Sequence, residues 1–304
     1  MTAIYNRTAV QICNRAARLL GISQSGKALS GSELNDFIEA LNLVVKELPA
    51  KDLPLWTETE GVVFSSYGST NYLLGPSGDY ACNDDDLVEM TVSTAASAGA
   101  FVLYVDTTEN VTVGDTVGIC QSRSVIQWTT IASKTDTSIQ LSTTLSADVA
   151  AGKLVFCFTD LIERPLRILS ARLDGGDFDL PMRSLDREEY FTFTSKSNTG
   201  TPTQYYYSPQ LTNGRLYVWP ASGDVSQKVR FTYQRSLVNM TSSSTPDLPD
   251  EWGNYLGYAL AWHMLPEYPD VIPSTANVIE KRMAISEAAL KSFNSQGSVF
   301  FYPG

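Results

Sequence analysis

Apolar residues near the start of the chain recur every three or four positions, which is the spacing of an amphipathic helix. Ser30 and Glu33 fit a capping box at the start of the clearest such stretch, and Pro49 ends it. A shorter helix is predicted over residues 8–20, ended by Gly21. The apolar face of the longer helix contains Leu34, Phe37, Ile38, Leu41, Val44, Val45 and Leu48.

The same helical spacing returns toward the other end of the chain. After Pro273, Ser274 is predicted to cap a last helix. The inner face of that last helix is predicted to hold Ile279, Met283, Leu290 and Phe293. The helix before it is predicted to bury Trp252, Tyr255, Leu256, Ala259, Leu260 and His263.

The middle of the chain, from Glu58 to about Met240, has short runs of β-branched and aromatic residues between Gly, Pro, Asn and Asp turns. Residues 88–158 contain five or six such runs at close spacing. This spacing predicts a small barrel or sandwich that is inserted into the main β domain. Residues 93–99 are all small and are predicted to lead into the insertion.

The predicted fold class is therefore α+β: a helical bundle formed by N-terminal and C-terminal helices, and a β-rich middle with an inserted small β-barrel or sandwich. The predicted domains are a helical hairpin (1–57) that packs with the C-terminal helices (246–296), a β domain (58–87 and 159–245), the inserted domain (88–158) and an aromatic tail (297–304).

The chain is acidic, with 22 Lys and Arg against 33 Asp and Glu and a formal net charge of -11. A surface of that sign repels phosphate, which argues against capture of free nucleic acid and suits passage of DNA through a channel. No apolar run approaches the roughly 18 residues of a membrane span, and no signal peptide is evident. We therefore expect no membrane partner and synthesis in the cytoplasm.

Few residues suit catalysis or metal binding. His263 is the only histidine, and the four cysteines are scattered singly, which favours buried thiols over a zinc site. The acidic run 84–86 lacks the alternation of a calcium loop and favours a solvated turn. Phosphate-binding glycine loops are absent. We predict no enzyme activity, no cofactor and no metal, although two carboxylates from distant strands that act on a glycan stay an alternative.

Aromatic residues of the β region allow two interpretations. The run Tyr205, Tyr206 and Tyr207, or Trp128 in the insertion, would suit stacking on glycans or bases, whereas aromatic residues on strands more often serve packing. Packing is the favoured interpretation. A fibre or receptor-binding protein that recognises host glycans through these residues is the alternative.

Several short motifs are spread along the chain. The N-terminal motifs are residues 14–22 (NRAARLLGI), 31–36 (GSELND) and 40–43 (ALNL). The later motifs are residues 199–202 (TGTP) with Tyr205, 214–220 (GRLYVWP), 248–252 (LPDEW) and 255–261 (YLGYALA). Together these motifs resemble the head-to-tail adaptor family of short-tailed bacteriophages, also called connector, head-completion or DNA-stabilisation proteins. The resemblance covers about two-thirds of the chain, and residues 88–158 depart from a minimal adaptor.

The resemblance implies a non-enzymatic virion protein at the head-tail junction, assembled in the host cytoplasm. It implies a ring, with twelve subunits as the expected number, that binds the portal protein, extends the DNA channel, helps to retain packaged DNA and supports the tail nozzle and fibres. Double-stranded DNA would pass through without specific binding. Such a ring needs two different complementary surfaces on each subunit.

The chain carries three consecutive aromatic residues near position 300, which need a burial site. The portal-docking residues are predicted to be Val299, Phe300, Phe301 and Tyr302, because aromatic anchors dominate interface energetics. The alternative is that this tail folds back on its own subunit.

Overall fold

The protein is a mixed α+β protein with a β-rich middle, as predicted. A computed structural model describes residues 7–24, 26–48, 58–246, 248, 249 and 251–293. These residues form two compact units: one contains those before Glu58 and from Leu237 onward, and the other is Glu58–Ser236. The α-helices of the described residues are α1 (Ala9–Leu19), α2 (Gly31–Glu47), α3 (Arg187–Thr192), α4 (Trp252–Met264) and α5 (Pro273–Phe293).

Sixteen strands are found in the described residues, all in the second unit. The first nine are β1 (Glu58–Phe64), β2 (Asn71–Leu74), β3 (Ala81–Asn83), β4 (Val88–Thr94), β5 (Val102–Val105), β6 (Thr116–Cys120), β7 (Ile126–Lys134), β8 (Ser138–Leu141) and β9 (Leu154–Phe158). The others are β10 (Arg167–Asp174), β11 (Asp179–Ser184), β12 (Thr199–Gly200), β13 (Gln204–Ser208), β14 (Gly214–Trp219), β15 (Ala221–Ser222) and β16 (Lys228–Gln234).

In the helical unit, α4 is the central helix. It is buried on most sides, and α1, α2 and α5 each pack against it. Leu237 and Met240, which precede α4 in the chain, belong to the same core. Helices from both ends of the chain therefore share one hydrophobic core. Its large side chains include Ile12, Phe37, Leu41, Tyr255, Leu256, Leu260 and Ile279.

The helices of the first 48 residues begin at capping boxes. Thr8 caps α1 through the N–H of Gln11, and Ser30 and Glu33 form the predicted box of α2. The Glu33 carboxylate accepts hydrogen bonds from the Ser30 hydroxyl (2.7 Å) and N–H (3.0 Å), which hold the pKa of Glu33 below its usual value. These bonds satisfy donors at the helix start that the helix itself leaves unpaired.

Two predictions for the C-terminal helices were wrong in detail. Ser274 does not cap α5, because the helix already begins at Pro273; a proline suits the first helical position, where its missing N–H costs nothing. His263 is half-buried, whereas the sequence pattern placed it in the core. Ile279 is buried and Met283 and Leu290 are partly buried, as predicted, whereas the side chain of Phe293 lies outside what the structure describes. Among the described helices, none combines the length and the hydropathy that a membrane span requires.

The main sheet of the second unit has eight strands in the order β2-β14-β13-β11-β10-β16-β1-β3. Neighbouring strands are antiparallel except β11 and β13, which pair in parallel. Alternate side chains of β13, β14 and β16 point into one core, because successive strand residues face opposite sides. That core includes Tyr205, Leu216, Val218, Val229, Phe231 and Tyr233.

The predicted small barrel or sandwich is a closed six-stranded barrel with strand order β4-β5-β8-β7-β6-β9. Its interior is filled by aliphatic side chains, among them Met90, Leu103, Val117, Ile119, Ile139 and Val155. The prediction that residues 93–99 lead into the barrel was wrong. Ser93 and Thr94 end the first barrel strand, and Ala96 bridges to Val149.

Asp115 connects two parts of the barrel. Its carboxylate is 3% exposed and accepts hydrogen bonds from the Thr112 N–H (2.6 Å) and the Thr159 hydroxyl (3.0 Å). Burial alone would raise the pKa of Asp115, but the hydrogen bonds outweigh it and the pKa lies below its usual value.

Because the folded-state pKa of Asp115 is lowered, its stabilising contribution is present above the unfolded pKa of about 3.9 and is lost as pH falls through the folded value. We expect Asp115→Asn to cost about 1–3 kcal/mol at neutral pH, since an amide does not replace both acceptors. Urea unfolding at about pH 7 and about pH 3 should show the difference between wild type and variant shrinking in acid. A difference that stays constant would contradict this role.

Candidate functional site

An aromatic cluster packs the barrel against the main sheet. The ring of Phe64 on β1 lies 5.0 Å from Trp128 and Phe156 and 5.6 Å from Phe158, all three in the barrel. Tyr80 stacks on Trp128 with ring centroids 4.1 Å apart. These contacts occupy the Trp128 ring, so the structure favours packing over glycan stacking for this residue.

Gly118 shows how closely Trp128 is packed. The two residues are paired across β6 and β7, and a Cβ atom built on Gly118 would lie 2.5 Å from the indole ring. Only glycine leaves room for the indole at this position. The pairing thus explains a glycine in the middle of a barrel strand, where it would otherwise weaken the strand.

Charged groups join the barrel and the sheet next to the aromatic cluster. Lys228 on β16 is 2% exposed, and its ammonium lies 2.8 Å from Glu89 of the barrel and 3.3 Å from Asp174. Arg230 pairs with the same two carboxylates at 3.0 and 2.7 Å, and also with Asp84. Each carboxylate of this cluster is held by at least one cation, an arrangement that satisfies buried charge and leaves no pair free for acid-base chemistry.

The outer face of β13 and β14 carries a second aromatic cluster. Tyr206 and Tyr217 stack with centroids 5.5 Å apart, and Tyr190 of α3 covers them and is itself buried. Phe193 stacks on Trp219 at 4.6 Å. The cluster is therefore the core that α3 forms against the sheet.

Part of this second cluster reaches the surface. The Phe191 ring is about half exposed, and the Lys196 ammonium lies 5.3 Å from its centroid. That ammonium also donates hydrogen bonds to the carbonyls of Phe191 and Phe193. An exposed aromatic ring beside a fixed cation is a suitable contact for a protein partner.

The three consecutive tyrosines of β13 divide between the two faces of the sheet. Tyr205 is buried in the main core, and burial raises its pKa. Tyr207 donates a hydrogen bond to the Pro165 carbonyl (2.5 Å), and burial raises its pKa to about 12. Tyr206 belongs to the outer cluster. All three tyrosines therefore make packing contacts, which is the interpretation that the sequence favoured.

A polar cleft of about 300 Å³ lies where the β6-β7 hairpin meets β12 and the loop between β15 and β16. The Gly223 N–H donates a hydrogen bond to the Gly200 carbonyl (3.0 Å), which joins two of the lining segments. Arg123 of the hairpin pairs with Asp224 at 3.3 Å. The lining residues are Tyr67, Arg123, Thr199, Gly200, Thr201, Gly223, Asp224 and Gln227.

The described lining of this cleft offers binding groups and no catalytic set. Its single carboxylate, that of Asp224, accepts hydrogen bonds from the Ser226 N–H (2.9 Å) and hydroxyl (2.6 Å) as well as pairing with Arg123. A nucleophile with an adjacent base, which covalent catalysis needs, is not among the lining residues. The sequence signalled only part of the cleft, through the TGTP motif at 199–202; Arg123 and Asp224 come from distant segments.

An exposed apolar patch lies on β5 of the barrel. Phe101, Val102 and Tyr104 are all exposed, and the neighbouring positions of β8 hold Gln140 and Ser138. Apolar groups that stay exposed in this way are typical of protein contact surfaces.

The other residues considered from sequence have structural roles. All four cysteines are free and buried, as predicted, and burial raises the pKa of each thiol to about 12. Asp84 lies in a 3-10 turn and pairs with Arg230, so the acidic run is not wholly solvated. No group of three His, Cys, Asp or Glu suited to a metal ion occurs within the described ranges. The predicted docking residues Val299, Phe300, Phe301 and Tyr302 lie outside the described residues.

The sequence model of the SU10 adaptor protein family matches residues 7–297, nearly the whole chain. The chain therefore belongs to the SU10 adaptor protein family. Membership suggests a structural, non-enzymatic adaptor of a bacteriophage and hence a virion component. A comparison with curated proteins gave no match.

Proposed function

We propose that this chain is a head-to-tail adaptor that forms a ring beneath the portal protein, with twelve subunits as the expected number. The ring extends the DNA channel, helps to retain packaged DNA and supports the tail nozzle and fibres. The observation that carries this proposal is the family match over residues 7–297, which includes the helical ends, the β middle and the barrel.

In this proposal the helices act as one bundle that forms the channel wall and docks on the portal. The shared core of α1, α2, α4 and α5 supports this role, because a single packed body holds its outer helix faces in fixed positions. The β unit supplies the platform for the tail nozzle and fibres. Its barrel is fixed to the main sheet by Phe64 and the Lys228 cluster, so the exposed β5 patch is presented rigidly to tail proteins.

The net charge of -11 suits a DNA channel that does not bind its cargo. Phosphates are repelled by an acidic surface, so DNA slides through instead of being captured. The proposed relation to double-stranded DNA is passage without specific binding.

The residues named for the glycan-binding alternative are engaged in packing contacts. Trp128 stacks on Tyr80, and Tyr205 and Tyr207 pack into the sheet core. Tyr206 stacks on Tyr217 beside Tyr190. The glycan hydrolase alternative would need a pair of free carboxylates, whereas those that converge at Lys228 and Arg230 are ion-paired. The adaptor is therefore the function that the described geometry and the family match support best.

Native mass spectrometry of the chain with its cognate portal protein tests the proposal. We expect a complex in which a closed set of subunits of this chain binds one portal ring. Mixtures with an unrelated portal serve as the control for non-specific association. Only monomers, both alone and with the cognate portal, would contradict the proposed function.

The aromatic tail is proposed to dock into the portal, and its deletion tests this separately. Removal of residues 299–304 is expected to leave the circular dichroism spectrum and unfolding midpoint unchanged and to weaken portal binding by more than about tenfold, as expected for an anchor worth at least 1.4 kcal/mol. Replacement of Phe300 and Phe301 with alanine should have a similar effect. Undiminished portal binding by either variant would contradict docking by the tail.

A further inference from the structure

The outer face of α2 carries two carboxylates and one exposed leucine, and Lys46 at its C-terminal end donates a hydrogen bond to the Leu237 carbonyl. Asp36, Glu39 and Leu43 follow one another at helical spacing on the side opposite the buried Phe37 and Leu41. The Leu43 side chain is 54% exposed. A large apolar residue exposed beside carboxylates is better suited to a contact than to solvent.

The outer face of α5 has the opposite charge. Val278 and Ile285 are 56% and 61% exposed, and the exposed Lys281 and Arg282 lie between them. The buried Ile279 marks the opposite side of the helix, which faces α4. This outer face is therefore apolar and basic.

The two faces have the same length and carry charges of opposite sign. Each spans eight residues, which at 1.5 Å for each of the seven steps is about 10 Å along its helix. Both helices pack on α4 within one compact unit, so one subunit carries both faces. Contact of α2 with a second α2 would place Glu39 against Glu39, which is repulsive, whereas contact with α5 places carboxylates against cations.

We propose that the outer face of α2 on one subunit packs against the outer face of α5 on the next, with Leu43 between Val278 and Ile285. Asp36 and Glu39 then face Lys281 and Arg282. Two unlike surfaces that recognise each other make a heterologous contact, which closes into a ring when the rotation between subunits permits it. The inference rests on the proposed ring function and identifies the faces that form it.

Engineered disulfides test the contact with the full chain and its portal. The native cysteines are buried, so the wild type gives a low background. The double variant Leu43→Cys with Ile285→Cys should give, under mild oxidation of the assembled protein, a ladder of linked subunits that ends at the closed ring. A 1:1 mixture of the two single variants should give linked dimers and no longer chains.

Other outcomes of the cross-linking experiment contradict the contact. Linked dimers from Leu43→Cys alone would show an α2-α2 interface. Rings detected by native mass spectrometry without any cross-link in the double variant would overturn this contact and leave the proposed function standing. The absence of rings with the portal would instead contradict the proposed function.

Charge reversal gives an independent test. Glu39→Lys and Lys281→Glu are each expected to weaken assembly by more than about tenfold, because like charges then face each other. The double variant should recover most of the loss. Glu280→Lys, on another side of α5, is the matched control and should assemble as the wild type does. Failure of the double variant to recover, with both single variants impaired, would overturn the pairing.

Discussion

Replacement of Lys228 with methionine is expected to lower the free energy of unfolding of the β unit by about 3 kcal/mol, toward the lower end for breaking a buried ion pair because Glu89 is partly exposed. Lys228 is 2% exposed and is held between Glu89 of the barrel and Asp174 of the sheet. Methionine keeps an aliphatic side chain beside Phe156 but removes the ammonium from the face of that ring, and it leaves Arg230 as the one cation shared by Glu89 and Asp174. The loss should appear in urea unfolding followed by tryptophan fluorescence, since Trp128 lies in the same junction.

Arg183→Met is the matched control for this prediction. Arg183 lies in the same unit and pairs with Glu189 at 3.1 Å, but both side chains are exposed. Exposed pairs contribute little, so the expected loss is below about 1 kcal/mol. Equal losses for the two variants would show that the junction does not depend on the buried cation.

Replacement of Phe37 with alanine is expected to cost the helical unit about 3–5 kcal/mol, the usual range for deleting a buried aromatic ring. Phe37 on α2 is fully buried in the core shared by the helices, and its ring lies 6.2 Å from that of Tyr268. The resulting cavity would loosen α2 from α4. Thermal and urea unfolding followed by circular dichroism would measure the loss.

Leu43→Ala on the same helix is the control for Phe37→Ala. Because Leu43 is exposed, the change should alter stability by no more than about 0.5 kcal/mol. A stable Leu43→Ala variant also shows that substitutions on the outer face of α2 report on assembly and not on folding. Similar destabilisation by both variants would mean that the α2 face assignment is wrong.

Periodicity predicted the local elements well where one face of an element is buried. The apolar spacing of α2 and its Ser30-Glu33 box gave a helix with the observed start, because capping and burial are decided within a few residues. The close spacing of strands in residues 88–158 predicted a small β unit. Barrel closure was not predictable, since it depends on pairing of β4 with β9, which are distant in sequence.

The functional surfaces were less predictable because they combine distant segments. Lys228 meets Glu89 across 139 positions in the chain, and no local pattern marks either residue. Arg123 and Asp224 of the polar cleft likewise meet only in the folded protein. His263 was misplaced because nearly all of α4 is buried, which makes its apolar pattern a poor guide to which side chains reach solvent.

The family resemblance indicated the functional class of the protein, which the chemistry of individual residues did not. The short motifs at 14–22, 199–202 and 248–252 indicated an adaptor. The family match over residues 7–297 shows that the chain belongs to the SU10 adaptor protein family. Charge and residue chemistry narrowed the expected role to structure and passage of DNA. The complementary outer faces of α2 and α5 could be recognised only from the exposure of the individual residues on each helix.

Electron microscopy of the assembled phage particle, with this chain located by a fused tag or by antibody, tests the adaptor role most directly. We expect density for the chain as a closed ring between the portal and the tail, coaxial with the DNA channel. Density for the chain only at the fibres, or at capsid positions away from the portal vertex, would contradict it.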